Sequence, residues 1–285
     1  MIPAAEIQRI AGAAGVEPTR VDLDYALAWI LCGLWAQPEI AAGWVFKGGT
    51  CLRKCYFPGY RFSEDLDFTL TRPLSMEDGR ALVSAAAEWA KEVTGIDFTG
   101  QPLRAEVMPA TEGDPGYEFR LYYRGSLPMG GSPRSIQVHL SGSEVIVMPP
   151  VPRSLNHPYS DSIEMETVTL RCYPLAEILA EKLRAVCGQR RHAIARDLYD
   201  IHELIRRGTD LDEALAILPA KFRAKTLTPP DNLLQTFEAR RADFERDWER
   251  NLTPLLPAAD RIPFEEAWAT VKRAISAVEA MPFGT

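Results

Sequence analysis

Two aspartates separated by one residue, Asp65 and Asp67, lie in the stretch Arg61-Phe-Ser-Glu-Asp-Leu-Asp-Phe68. Leu66 and Phe68 alternate with them, the pattern of a half-buried strand, and residues two apart in a strand share a face. Two parallel carboxylates repel each other unless a cation sits between them. Hard oxygen ligands suit Mg²⁺ or Mn²⁺, so the pair is a candidate divalent-metal site. Upstream, Lys47-Gly-Gly-Thr50 closes the apolar run Trp44-Val-Phe46. Gly48 and Gly49 permit a tight turn and close backbone approach to a ligand. Thr50 is placed to cap the helix expected over Cys51, Leu52, Lys54 and Cys55. Backbone N–H groups at such a turn suit phosphate. The order strand, Gly-Gly-Thr turn, helix, Asp-x-Asp strand therefore points to phosphoryl or nucleotidyl transfer, in which metal ions neutralise charge on phosphate oxygens. Either motif alone is common on protein surfaces; their conjunction carries the reading. Lys47, Gly48, Gly49, Thr50 and Ser63 are the nucleotide-binding candidates.

A second constellation lies further along. The helix expected from Pro174 to Cys187 places Leu175, Ile178, Leu179, Leu183 and Val186 on one stripe, with Lys182 in its middle. A lysine centred on an apolar face needs an anionic partner, unless it snorkels to the edge. A triphosphate is one such partner. In the next helix, about 192–206, Asp197 falls within the apolar stripe and Asp200 at its margin. Asp197 is thus the residue expected to face inward, either to hold Lys182 in a salt bridge or to assist an acceptor. Arg184, Arg190, Arg191 and Arg196 cluster nearby, as RNA-phosphate contacts or as a solvated face. His157, His192 and His202 have no ligand spacing.

The elements that must position these groups can be read in order. Residues 3–14 and 19–37 read as helices, the second nearly all apolar and hence buried. Residues 76–93 form an amphipathic, Ala-rich helix stopped by Gly95. Phe119, Leu121 and Tyr123 alternate with polar residues, as do Ile136, Val138 and Leu140, so two strands flank a turn over 125–133. His139 in the second strand and Glu144 just downstream are further polar candidates; an imidazole binds Mn²⁺ but is a poor Mg²⁺ ligand, and each reads equally well as a polar residue facing solvent. Residues 149–158 are Pro-rich and read as a surface linker, and 166–173 as a last strand. From Pro174 on, the pattern is helical, with breaks near Pro219, 228–230 and 253–263.

The 285 residues, 46% hydrophobic and 25% charged, suit a soluble globular chain of two lobes. No apolar run approaches a membrane span, and no basic-then-apolar leader opens the chain, so a cytoplasmic location is expected. A net charge of −7 argues against broad, non-specific nucleic-acid binding while leaving room for a local basic patch. The five cysteines are scattered and include no Cys-x-x-Cys pair, so neither zinc nor a disulfide framework is expected.

Phe46-Lys-Gly-Gly-Thr50, Arg61-Phe-Ser-Glu-Asp-Leu-Asp-Phe68, Ala180-Glu-Lys182 and Arg196-Asp-Leu-Tyr-Asp200 resemble the corresponding segments of the AbiEii and MenT toxins, which are DNA polymerase β-like nucleotidyltransferases. The resemblance spans roughly residues 40–206. It implies an α+β fold, with a nucleotidyltransferase-like mixed-sheet lobe over 1–170, a mostly helical lobe over 171–285, and the site between them. It implies NTP as substrate, Mg²⁺ or Mn²⁺ as cofactor, an RNA acceptor such as a tRNA 3′ end, and a cognate antitoxin. On this reading Asp65 and Asp67 hold the metal, with His139 as a further ligand. Lys182 binds triphosphate, and Asp197 orients it or assists the acceptor. A phosphotransferase using the same metal site, and a catalytically inactive module that binds RNA or a partner, are the rival expectations.

Overall fold

The computed structural model describes residues 1–108, 115–128, 132–162 and 168–282. The chain divides into two compact units. The first comprises Met1–Ser143, Pro150–Cys172 and Leu256–Ala259; the second comprises Glu144–Pro149, Tyr173–Leu255 and Asp260 onward.

The first unit is built on a seven-stranded mixed sheet of order β3-β4-β5-β2-β1-β7-β6. Its strands are β1 (Trp44–Lys47), β2 (Asp65–Leu70), β3 (Arg104–Met108), β4 (Gly116–Tyr123), β5 (Arg134–Ser141), β6 (Val151–Ser154) and β7 (Thr169–Cys172). The central β2 runs antiparallel to β1 and parallel to β5. Two long helices, α2 (Pro18–Trp35) and α5 (Met76–Thr94), pack together. Trp35 of α2 meets Phe68 of β2 with ring centroids 5.9 Å apart, and Gly79 of α5 lies against the ring of Phe119 in β4. These helices cover the apolar face, where Leu66, Phe68, Phe119, Val138 and Leu140 are buried. Because strand side chains alternate, Asp65, Asp67, Glu118, Arg120, Gln137 and His139 are all left on the opposite face.

Helix α2 carries two carboxylates into this core. Asp24 accepts from Arg53 Nε at 2.7 Å, Lys54 Nζ at 2.7 Å and the Tyr159 hydroxyl at 2.7 Å. Asp22 accepts from Arg134 at 2.6 Å and from the Ser126 amide at 2.9 Å. Arg53 and Lys54 belong to the segment after the Gly-Gly turn, so Asp24 anchors that segment to α2.

The stretch 149–158, expected as a surface linker, contributes β6, which pairs antiparallel with β7. Pro152 is accommodated because β6 is an edge strand. Beyond it, His157 and Tyr159 are buried against Tyr25, with centroids at 5.7 and 5.1 Å. The expected last strand is shorter, Thr169–Cys172; residues 166 and 167 lie outside the described residues, as do 129–131 of the expected turn.

The second unit is helical. Numbered after the first unit's five, which include the shorter α1 (Ala4–Ala14), α3 (Pro38–Gly43) and α4 (Gly48–Cys51), its helices are α6 (Leu175–Arg184), α7 (Ala195–Arg206), α8 (Leu211–Arg223), α9 (Leu233–Ala239), α10 (Arg241–Asp247) and α11 (Phe264–Glu279). Helix α8 runs through Pro219, where a break was expected. Phe237 stacks on Trp268 at 4.2 Å in the core between α9 and α11. Among the described residues, no helix is long and apolar enough to cross a membrane.

Candidate active site

The Gly-Gly turn lies where β1 ends. Lys47, buried, is in register with Asp67 across the antiparallel pair. Gly48 then adopts φ +78°, a conformation open to glycine, and starts the short helix α4 (Gly48–Cys51). Thr50 therefore lies inside the helix rather than at its cap. Its buried hydroxyl donates to the Asp65 carbonyl at 2.5 Å and so ties the turn to β2. A Cβ on Gly48 would collide with Asp67 Oδ2, and one on Gly49 with the Arg61 guanidinium. Both glycines are thus required by a side chain pressed against the backbone. Arg61, 2% exposed, brings positive charge to the turn expected to receive phosphate. Ser63 is buried on the approach to β2.

Strand register aligns the remaining groups. Asp67 is opposite His139 in β5, and His139 is opposite Glu118 in β4. His139 Nδ1 lies 3.1 Å from Asp67 Oδ1, and its Nε2 lies 3.6 Å from Glu118 Oε2. The hydrogen bond to Asp67 holds the imidazole's proton more tightly than usual, against the opposing effect of burial, and the Asp67, Asp65 and Glu118 charges add to it. Glu118 accepts from Arg120 at 2.9 Å and from Gln137 at 3.0 Å, and the Arg120 bond keeps its carboxyl below the usual range. Asp65 is in register with Gln137, which completes this polar row.

Glu118 was not among the residues singled out from the sequence. The alternation read over 119–124, extended one residue back, places it on the polar face with Arg120. Arg61 lies in the same motif as the aspartates, but only folding brings its guanidinium onto Gly49. Glu144, the alternative third carboxylate, is excluded by its surroundings. It is buried in the second unit and receives both Arg184 guanidinium nitrogens at 2.8 Å. The same buried network holds Lys221, whose Nζ lies 2.6 Å from Glu177 Oε1 and donates to the Val145 carbonyl at 2.5 Å. Arg184 is accordingly a core cation, not a solvated or RNA-facing one.

Lys182 Nζ is 2.7 Å from Asp197 Oδ1 and 2.9 Å from Asp200 Oδ2. Arg190 Nε also reaches Asp197, at 3.2 Å. Asp200, expected at the margin of its helix, is as buried as Asp197. Helix α7 buries every residue from Asp197 to Leu204, charged ones included, and so is covered on several sides, which takes Asp200 off the margin. His157 is a core residue whose pKa burial pushes down to about 4, and His202 is buried against Thr270.

The donor set on the first unit's polar face, with carboxylates from Asp65, Asp67 and Glu118, is made of hard oxygens and fits a hard divalent cation. His139 spans the gap between two of these carboxylates, which is where their mutual repulsion must be relieved. Beside them, the Gly-Gly turn and Arg61 offer donors to an anion.

A family model described as "Nucleotidyl transferase AbiEii toxin, Type IV TA system" matches residues 29–270. Among solved structures, MenT4, a nucleotidyltransferase toxin from Mycobacterium tuberculosis H37Rv, superposes with a TM-score of 0.66 at 23% identity, over 99% of this chain and 91% of that one. JHP933 from Helicobacter pylori superposes with a TM-score of 0.53 at 16% identity, over 93% of each chain. At these identities the likeness is one of fold. No curated protein sequence matches.

Proposed function

Since this chain belongs to the AbiEii nucleotidyltransferase toxin family of type IV toxin–antitoxin systems, we propose that it transfers nucleotides from an NTP to the 3′ end of an RNA, with tRNA as the acceptor class, at the polar face around Asp65 and Asp67. The observation that carries this reading is the contact of the Asp67 carboxylate with the Gly48 backbone, which sets a carboxylate row against a phosphate-type turn.

In such a transfer the acceptor hydroxyl oxygen bonds to the α-phosphorus, the bond from that phosphorus to the bridging oxygen breaks, and pyrophosphate leaves. Asp65 and Asp67 would hold Mg²⁺ or Mn²⁺, with Glu118 and His139 completing the row. A divalent ion bound there supplies charge neutralisation at the phosphates. The chain's own groups do the rest. Gly48 and Gly49 let backbone amides approach the phosphates, and Lys47 and Arg61 add positive charge. The Thr50 hydroxyl fixes the turn against β2, and Ser63 is a further hydroxyl on this approach. Asp67 is the carboxylate suited to take the acceptor's proton, directly or through water. In the second unit, Lys182, oriented by Asp197 and Asp200, is the ammonium proposed for the triphosphate. The lobes expected at 1–170 and 171–285 are proposed to divide these roles.

The test incubates the chain with each labelled NTP, Mg²⁺ or Mn²⁺, and total RNA, and then sizes the labelled product. RNA lengthened by nucleotides, with pyrophosphate released, supports the proposal. Added phosphate with release of a nucleoside diphosphate would assign a phosphotransferase instead. Growth arrest on expression, relieved by a co-encoded antitoxin, tests the toxin role in the cell.

A further inference from the structure

Five cysteines scattered through the sequence gave no reason to expect a metal, yet three of them meet. Cys51, Cys55 and Cys172 bring their sulfurs within 4.8 Å of one another. The convergence has two sources. Cys51 ends α4, and Cys55 lies four residues on, within a π-type turn over Leu52–Tyr56, so both project on the same side of the segment. Cys172 ends β7, whose pairing with β1 sets it opposite Phe46. Cys51 and Cys172 are buried and Cys55 is half-buried, so the cluster has one side toward the surface.

We infer that Cys51, Cys55 and Cys172 form a three-thiolate site for a thiophilic divalent cation of the zinc class, with water as the fourth ligand. A point equidistant from three sulfurs no more than 4.8 Å apart can lie within about 2.8 Å of each (4.8 Å/√3), and a Zn–S bond is about 2.3 Å. Closing that gap takes side-chain adjustments of a few tenths of an ångström. A disulfide would use only two of the sulfurs, drawing them to about 2.05 Å and stranding the third. Thiols bind as thiolates, so metal entry releases their protons to solvent. The positive charges of Lys54 and Arg153 act on Cys55, the half-buried member of the cluster. Three thiolates and one Zn²⁺ leave a net charge of −1, which Arg153, over the Tyr56 ring at 4.6 Å, and Lys54 offset.

The consequence is structural. Cys51 follows Thr50 directly, so an ion here pins the helix after the Gly-Gly turn to the end of β7. This inference does not depend on the nucleotidyl-transfer reading.

The test uses the full chain, reduced, stripped with chelator, and titrated with Zn²⁺ alone against a chromophoric zinc indicator. One tightly held zinc per chain is expected, together with protection of three of the five thiols from alkylation and a raised thermal midpoint. Co²⁺ in place of Zn²⁺ should give a thiolate-to-cobalt charge-transfer band. Cys55→Ala, at the half-buried position, should fold and lose the zinc. Cys32→Ser and the Asp65→Ala/Asp67→Ala double variant should keep it. No retained zinc, retention undiminished in Cys55→Ala, or loss of the zinc in the double aspartate variant would each overturn the site. So would a disulfide that leaves three free thiols in protein purified without reductant.

Discussion

The carboxylate of Asp67 rests on the backbone of Gly48, in the space where any other residue would carry its Cβ. That contact joins the phosphate-type turn to the carboxylate row, and it makes the position intolerant for two reasons. The backbone is left-handed at φ +78°, which costs a non-glycine residue about 1–2 kcal/mol. The added methyl must also displace Asp67. Gly48→Ala is therefore expected to lose most transfer activity while unfolding at only modestly lower denaturant. Activity near wild type, measured with labelled NTP, would show that Asp67 need not stand there.

Asp65→Ala or Asp67→Ala should abolish transfer and leave the circular dichroism unchanged, since both face the polar side of the sheet. Glu118→Gln should lower activity about ten- to a hundredfold, the range for groups that support metal ligands. Glu144→Gln should do the reverse. It leaves Arg184 without its buried carboxylate and should cost about 3–5 kcal/mol of stability. Urea melts beside transfer assays distinguish the two glutamates, and equal stability loss in both would contradict their different placements.

His139 lies between Asp67 and Glu118. Replacing it with Asp supplies a hard oxygen and should shift preference toward Mg²⁺, whereas the native imidazole should favour Mn²⁺. The ratio of rates in the two metals reads this directly. An unchanged ratio in His139→Asp would put the imidazole outside the metal's reach.

Lys182→Met is expected to destabilise the protein rather than spare it, because both Asp197 and Asp200 are buried on the ammonium. Loss of one partner from a buried charge cluster costs about 3–5 kcal/mol. Adding Asp200→Asn should recover part of that stability without restoring NTP binding. A Lys182→Met chain as stable as wild type would show that the pairs contribute little to folding.

Acid should unfold the protein partly through Asp24. Burial alone would raise its pKa, but Arg53 and Lys54 together hold it well below its unfolded value of about 3.9. A carboxyl depressed on folding contributes stability above the unfolded pKa and loses it as pH falls toward the folded one. Lys54 is shifted down as well, chiefly by burial, against its attraction to Asp24. Denaturant melts from pH 7 to pH 3 should fall more steeply for wild type than for Asp24→Asn. Parallel curves would remove Asp24 from the acid response.

Some of this molecule follows from local pattern. Period-two alternation is enough to put Asp65 and Asp67 on one face of β2, and a Gly-Gly pair after an apolar run is enough for the turn. The dominance of helices after Pro174 is likewise written in a periodicity of 3.6, whereas the mixed-sheet class was implied by the resemblance to the AbiEii and MenT toxins. The pairing of Lys182 with Asp197 was legible too, since a charge centred on an apolar stripe must find an opposite one. Tertiary pairing is not local: strand register set Glu118 beside His139, and folding brought Arg61 against Gly49 and Cys172 against Cys51 and Cys55. The burial of Asp200 likewise depended on how many neighbours cover α7, and the fate of Glu144 on a buried arginine forty residues later in the chain. A sequence states which faces its elements offer; which faces meet is decided by the packing that buries them, and here that packing supplied the third carboxylate, the buried cation at the turn and the cluster of thiols.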